Sequence, residues 1–110
     1  MCVNLNYKEM SMSKIMVAII DIDDEQGYLE YQNSVLPMFE EMGIEVLAVD
    51  DAPKAIEGDS RNQRMVVIKF DDEKAFYDWY DSDDYNKIKP IRLANSRGEV
   101  HLLEEQNLNF

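Results

Sequence analysis

The side chains able to do chemistry concentrate in "WYDSDDYNKIKPIR" (79–92), where Trp79, Tyr80 and Tyr85 precede Lys87, Lys89 and Arg92, and in "YLEY" (28–31), which supplies Tyr28 and Tyr31. Buried phenols and indoles need hydrogen-bond partners, and an arginine offers a planar fork to a carboxylate. Gathered around one space, these groups make a cavity that is apolar with a few polar points, the usual character of a small-molecule site. From residue 86 to residue 97 there is no acid, while Lys87, Lys89, Arg92 and Arg97 are basic, a positive island in an acidic chain. Arg92 stays charged at any working pH, so when buried it requires an anion from outside or a carboxylate of the protein, for which Asp59 and Glu57 are the candidates. Two readings follow: Arg92 anchors a small acid, or it braces the fold. The plainer account of the aromatics is core packing, because Tyr28, Tyr31, Phe76, Trp79, Tyr80 and Tyr85 recur at helical spacing.

Other chemistries fare worse. Asp81 and Asp83 fit the first and third places of a calcium loop, but Tyr85 and Asn86 stand where an oxygen ligand and a glycine are needed, and Arg92 replaces the closing glutamate. The acids read better as helix ends: Ser82 caps, Asp83 and Asp84 meet the positive pole, and Lys87 and Lys89 the negative one. In "DIDDE" (21–25), Asp21 and Asp23 lie on one side of a strand end and are able to hold magnesium, although a helix start explains them more simply. His101 is the only histidine and Cys2 the only cysteine. No second histidine completes a zinc site, Cys2 has no activating neighbour, and His101 in "EVHLL" reads as a structural residue of the core or of an interface. Neither a Ser-His-Asp arrangement nor a phosphate-binding glycine loop is present. No metal and no cofactor are expected, and no catalytic residue is assigned.

The elements that would position these side chains follow from pattern. "KIMVAIIDI" (14–22), "IEVLAV" (44–49), "RMVVIKF" (64–70) and "EVHLLEE" (99–105) read as strands. A helix opens at Asp23, Asp24 and Glu25 and closes at Gly43, with Tyr28, Tyr31, Val35, Phe39 and Met42 on its inner face and a kink expected near Pro37. Asp71 or Asp72 caps a second helix and Ser82 a third, which Pro90 should end or restart. Residues 51–63 connect two strands, with a short extended piece expected at 55–57, and "NSRG" (95–98) reads as a turn. The order is β-α-β-β-α-β, a ferredoxin-like split pattern with both helical segments on one face of an antiparallel sheet. Strands one and three are nevertheless apolar on both sides, Ile15, Val17 and Ile19 backing Met16, Ala18 and Ile20. The second face therefore needs a cover, and the simplest is the same face of a second copy.

The totals agree with this frame. The 110 residues suit one domain, with 45% hydrophobic residues, 31% charged, 4 Gly and 3 Pro. Twenty-three acids against 11 bases give −12, a field that repels nucleic acid and anionic membrane surfaces. The longest apolar run, "IMVAII", is too short for a membrane span, and the first residues lack the order of a secretion signal, so a cytoplasmic protein is expected. Residues 1–13 read as a flexible extension, 14–105 as the domain and 106–110 as a tail.

The ordered run of "EGD" (57–59), "RMVVIKFDD" (64–72) and "WYDSDDYNKIKPIR" (79–92), with "YLEY", Pro37 and Gly43 before it, resembles the signature of the family called domain of unknown function 1330. The resemblance spans residues 14–105 and implies a ferredoxin-like fold paired into a dimeric α/β barrel. It marks Tyr28, Tyr31, Glu57, Gly58, Arg64, Trp79, Tyr80, Tyr85 and Arg92 as family-typical positions. It implies no particular reaction. Two functions are carried forward: a binder of a small, carboxylate-bearing molecule or a cofactor-independent enzyme of this barrel type, and, alternatively, a non-enzymatic stress or regulatory dimer acting through protein contacts. The candidate site residues are Arg92, Tyr85, Trp79, Tyr31, Tyr28, Asp59 and Glu57.

Overall fold

The computed structural model describes residues 13–106. In chain order they form β1 (Lys14–Ile22), α1 (Glu25–Met42), β2 (Glu45–Asp50), β3 (Arg64–Phe70), α2 (Glu73–Tyr80), α3 (Asp83–Asn95) and β4 (Ser96–Glu104). The strands make one antiparallel sheet in the order β2-β3-β1-β4, the ferredoxin-like α+β arrangement. Residues 1–12 and 107–110, most of the expected extension and tail, lie outside the described residues.

Each helix begins where an acid or serine takes an orphan amide. Asp24 accepts from the amides of Gln26 and Gly27, Asp72 from that of Ala75 at 2.7 Å, and Ser82 from that of Tyr85 at 3.0 Å. α1 stops at Gly43, whose φ of 69° is the left-handed conformation that glycine adopts without strain. α1 buries Tyr28, Tyr31, Val35 and Phe39 but leaves Met42, expected on the same face, half exposed. That stripe packs over Met16, Ala18 and Ile20 of β1 and Ile68 and Phe70 of β3, with Phe76 and Trp79 of α2 and Tyr85 of α3 closing the core.

Three expectations need correction. Pro90 neither ends nor restarts a helix: α3 runs through it, as α1 runs through Pro37, where a continuing helix is expected. In each case the carbonyl deprived of a donor, on Asn86 or Asn33, belongs to an exposed residue, where water can satisfy it. Residues 95–98 are not a turn, because α3 passes into β4 with no loop between them. The Asn95 carbonyl accepts from the amides of Asp23 and Asp24, and the Ser96 hydroxyl donates to the Arg92 carbonyl, so the helix end is satisfied without a glycine cap. Gly98 instead serves the sheet, opposite Ile20, where a Cβ would strike the Ile19 carbonyl oxygen. No strand forms at 55–57.

The far face of the sheet carries Ile15, Val17 and Ile19 in register with Met65 and Val67 on one side and with Leu103, His101 and Glu99 on the other. Among the described residues no helix lies above these apolar side chains, and every residue of β2 is exposed. Among the described residues no helix is long and apolar enough to cross a membrane.

Gly98→Ala should destabilise the domain by about 1–3 kcal/mol, the usual cost of forcing an extra methyl into filled space. Urea denaturation measures it; an unchanged midpoint would show that β4 can draw back from β1 at no cost.

Candidate functional site

Trp79, 2% exposed, sits where α2 meets the other layers, stacked on Phe70 at 5.8 Å and tilted against Phe39 at 5.1 Å and Tyr85 at 4.3 Å. Ser82 fixes the relation between Trp79 and Tyr85. Its hydroxyl donates to the Trp79 carbonyl at 2.7 Å and accepts from the Tyr85 amide at 3.0 Å, so "WYDSDDY" is a helix end and a helix start sharing one serine. Tyr85, 1% exposed, then reaches across the layer, its hydroxyl 2.8 Å from that of Tyr31 on α1. Tyr28, one turn before Tyr31 on the same face, lies 5.4 Å from it ring to ring. Arg92 is two turns beyond Tyr85 on α3 and shares its side of the helix.

These five side chains line one cavity between helices and sheet, about 60 Å³ in volume, whose remaining wall is mostly apolar, with Ile20, Val35, Phe39, Ile68 and Val100, and includes the polar Gln32 and Arg64. The sequence-predicted group Arg92, Tyr85, Trp79, Tyr31 and Tyr28 is thus brought together. Glu57 and Asp59 are not. They stand in the exposed β2–β3 connection, beside a different recess that includes Ile19 and Met65 of the far sheet face. The brace between Arg92 and Asp59 or Glu57 is accordingly not formed, and among the described residues no carboxylate lies within ion-pairing distance of Arg92.

The rest of the positive island is accounted for. Arg97 makes a two-pronged pair with Asp23, Lys87 lies 3.9 Å from Asp84, and Lys89 sits over the Tyr80 ring at 4.4 Å. Asp21 accepts from Gln63, so with Asp23 held by Arg97 neither of the two acids considered for magnesium in "DIDDE" stands free. Among the described residues no three His, Cys, Asp or Glu side chains gather as a metal site requires. His101 is not in the core; it is exposed on the far sheet face, 2.8 Å from Glu99. Cys2 lies outside the described residues.

The electrostatics of the cavity are lopsided toward donors. Burial opposes the Arg92 charge, the oxygens of Tyr85, Tyr31 and Tyr80 support it, and the net direction is upward. At neutral pH those phenols are uncharged, so the guanidinium has dipoles around it and no counter-ion. The indole Nε1 of Trp79 is buried with no hydrogen-bond partner. The Tyr31–Tyr85 pair uses one hydroxyl hydrogen and leaves one to give. An occupant that accepts hydrogen bonds is favoured, and an oxyanion most of all.

Arg64 contributes a further wall of the cavity that residue-by-residue reasoning did not assign, only the family resemblance marking it. The available signal was parity: Arg64 alternates with Val66, Ile68 and Phe70, which places it on the helix-facing side, opposite buried Ile20. Its side chain is 15% exposed, bonded to Gln32 Oε1 at 2.5 Å, 3.3 Å from Asp51, and 5.3 Å above the Tyr28 ring.

A two-layer ferredoxin-like α+β fold with an aromatic, donor-rich cavity between the layers is the class of protein defined here. The chain belongs to the family described as Domain of unknown function (DUF1330), whose profile matches residues 14–106. Solved structures share the fold. A protein of unknown function from Rhodopseudomonas palustris is 13% identical, the match covering 96% of this chain and 93% of that one with a TM-score of 0.75. SnoaB, a cofactor-independent oxygenase from Streptomyces nogalater, is 11% identical over 87% of this chain and 95% of its own, at 0.64. A dimeric protein of unknown function with a ferredoxin-like fold from Bacteroides fragilis is 10% identical over 87% and 99%, at 0.54. At such identities the likeness is one of fold. No curated protein matches the chain.

Burial, with Tyr85 next to it, raises the pKa of Tyr31 far above that of a free tyrosine, and burial also raises that of Tyr28. A group whose pKa is higher folded than unfolded contributes stability that is complete below its unfolded pKa and is lost as pH rises beyond it. Stability should therefore fall above about pH 10, by about 1.4 kcal/mol per pH unit for each such tyrosine. Tyr31→Phe should make the decline shallower in denaturation curves taken from pH 8 upward; an equally steep decline would mean that Tyr31 ionises freely in the folded protein.

Proposed function

We propose that the protein binds a small organic acid between helices and sheet, its carboxylate on Arg92 and its apolar body against the aromatic wall. The observation that carries this reading is a partly buried guanidinium with no carboxylate partner among the described residues, in the same cavity as an unpartnered Trp79 Nε1. Both are groups that leave a folded protein at a cost unless something accepts from them. Binding is favoured over acid–base chemistry because the cavity lining holds no aspartate, glutamate, histidine, lysine or cysteine, and Tyr31 and Tyr28 hold their protons more tightly than usual. The fold shared with a cofactor-independent oxygenase keeps turnover of the bound acid as the second reading, in which the same donors would steady a developing oxyanion.

The protein is further proposed to work as a homodimer joined through the far sheet face. Leu103 is about half exposed there, beside Val17, Ile19, Met65 and Val67, all only part-buried. Side chains of this kind contribute about 1.5–3 kcal/mol each when fully buried. Light scattering at micromolar concentration should show twice the chain mass, and Val17→Asp, at the centre of the face, should shift it to monomer. A wild type that stays monomeric and unfolds cooperatively would refute the dimer.

Arg92→Met tests the binding reading, since it keeps much of the side chain's bulk and removes the charge. The variant should fold with unchanged or higher stability and lose the rise in melting temperature that small carboxylates give the wild type. Destabilisation by about 3–5 kcal/mol, as expected when one member of a buried ion pair is removed, together with a wild type indifferent to every carboxylate, would return Arg92 to a structural role.

A further inference from the structure

The cavity that holds Arg92 is small by the standard of ligand sites, yet it does not end at a solid wall. On its β3 side it is bounded by Ile20, Tyr28, Gln32 and Arg64, and the same four residues form the floor of an outer groove of about 590 Å³ that also includes Glu25, Leu29, Asp51 and Asn62. Two spaces that share four residues are divided by those side chains. The polar member able to swing is Arg64, a long side chain at the first position of β3. Joined, the two spaces fall within the few hundred to about 1,000 Å³ of ordinary small-molecule sites, whereas the inner one by itself does not.

What holds Arg64 in place is weak for so enclosed a charge. Its ion pair is with Asp51, whose side chain is 78% exposed and 3.3 Å away; Gln32 is neutral; and its Nε is buried with no partner. Tyr28 feels both arginines: burial holds its proton more tightly than usual, and Arg64 and Arg92 each act against that without reversing it. A row of rings, Tyr85, Tyr31 and Tyr28, therefore has an incompletely satisfied guanidinium toward either end.

Building on the proposed carboxylate site at Arg92, we propose that the inner cavity and the outer groove are one binding site and that its ligand is a dicarboxylate: one carboxylate on Arg92, an apolar middle against Tyr31 and Tyr28, and the second carboxylate taking Arg64 from Asp51. The second anion fits Arg64 better than a neutral acceptor does. It offers two oxygens to the fork, including the unpartnered Nε, and supplies the compensation that an exposed aspartate gives poorly. Arg64 is thereby a specificity-determining residue, and Asp51 competes with the ligand for it.

Calorimetry with paired probes of equal chain length, hexanoate with adipate and octanoate with suberate, reads the inference as a ratio of affinities. The wild type should prefer the dicarboxylate by about tenfold or more, the worth of a hydrogen-bonded contact to a charged group. Arg64→Met should bring the ratio to about one, and Asp51→Asn, an exposed change that leaves Arg64 in place, should raise it because the competitor is gone. Arg92→Met should abolish binding of both probes. A wild type that binds monocarboxylates and dicarboxylates equally, or a ratio that Asp51→Asn leaves unchanged or lowers, would overturn the dicarboxylate inference while leaving the acid site at Arg92 intact. A wild type that binds none of the four would overturn both.

Discussion

The hydrogen bond between the hydroxyls of Tyr31 and Tyr85 is, among the described residues, the one side-chain bond that is fully buried, and it joins α1 to α3 across 54 positions of sequence. Two phenols entering an apolar layer from different helices must satisfy each other or lose the hydration they had in water. Meeting that requirement fixes how far α3 stands from α1. It also fixes what lies one turn up or two turns down each helix, Tyr28 on one side and Arg92 on the other. The cavity lies beside large rings that are joined at their tips by one bond, with Trp79, itself against Phe39, packed on the Tyr85 ring.

That bond also sets the chemistry of the space. With the phenols engaged with each other and Gln32 and Asp51 engaged with Arg64, what is left over is the indole N–H, one hydroxyl hydrogen, the Nε of Arg64 and the guanidinium of Arg92. An apolar core would have no reason to carry such a surplus of donors, since each costs free energy when buried without an acceptor. A site for an oxyanion would.

Much of this was legible in the sequence because it is local. Asp24, Gly43, Asp72 and Ser82 mark helix ends through bonds made within three or four residues, and the short Ile- and Val-rich runs of β1 and β3 coincide with the observed strands. The aromatic group with Arg92 was legible for the same reason, as spacing along helices that the sheet must face. Where the reading failed, the deciding contact was remote. Residues 95–98 look like a turn, but the Asn95 carbonyl is satisfied from 23 and 24 and Gly98 answers to Ile19 across the sheet. Pro90 is tolerated because Asn86 faces water. Glu57 and Asp59 were proposed as partners of Arg92 on charge alone, and no local rule shows that their connection lies against the other face. His101 by sequence fits either the core or an interface, and sheet pairing decides between them by giving it the parity that points away from the helices.

A net charge of −12 stands on its face against an anionic ligand. The two effects act over different distances. Exposed acids are screened within about 8 Å at physiological ionic strength, whereas a guanidinium behind a row of rings is screened far less and keeps its attraction for a group that reaches it. The acidic exterior therefore acts mainly on the approach of an anion and little on one that has reached the guanidinium. Selection then falls to the threshold, where Asp51 stands on the solvent side of Arg64 and Glu25 lines the same groove. Under the dicarboxylate proposal, an acid that displaces Asp51 gains a guanidinium and leaves Asp51 to water, where its charge is already well solvated.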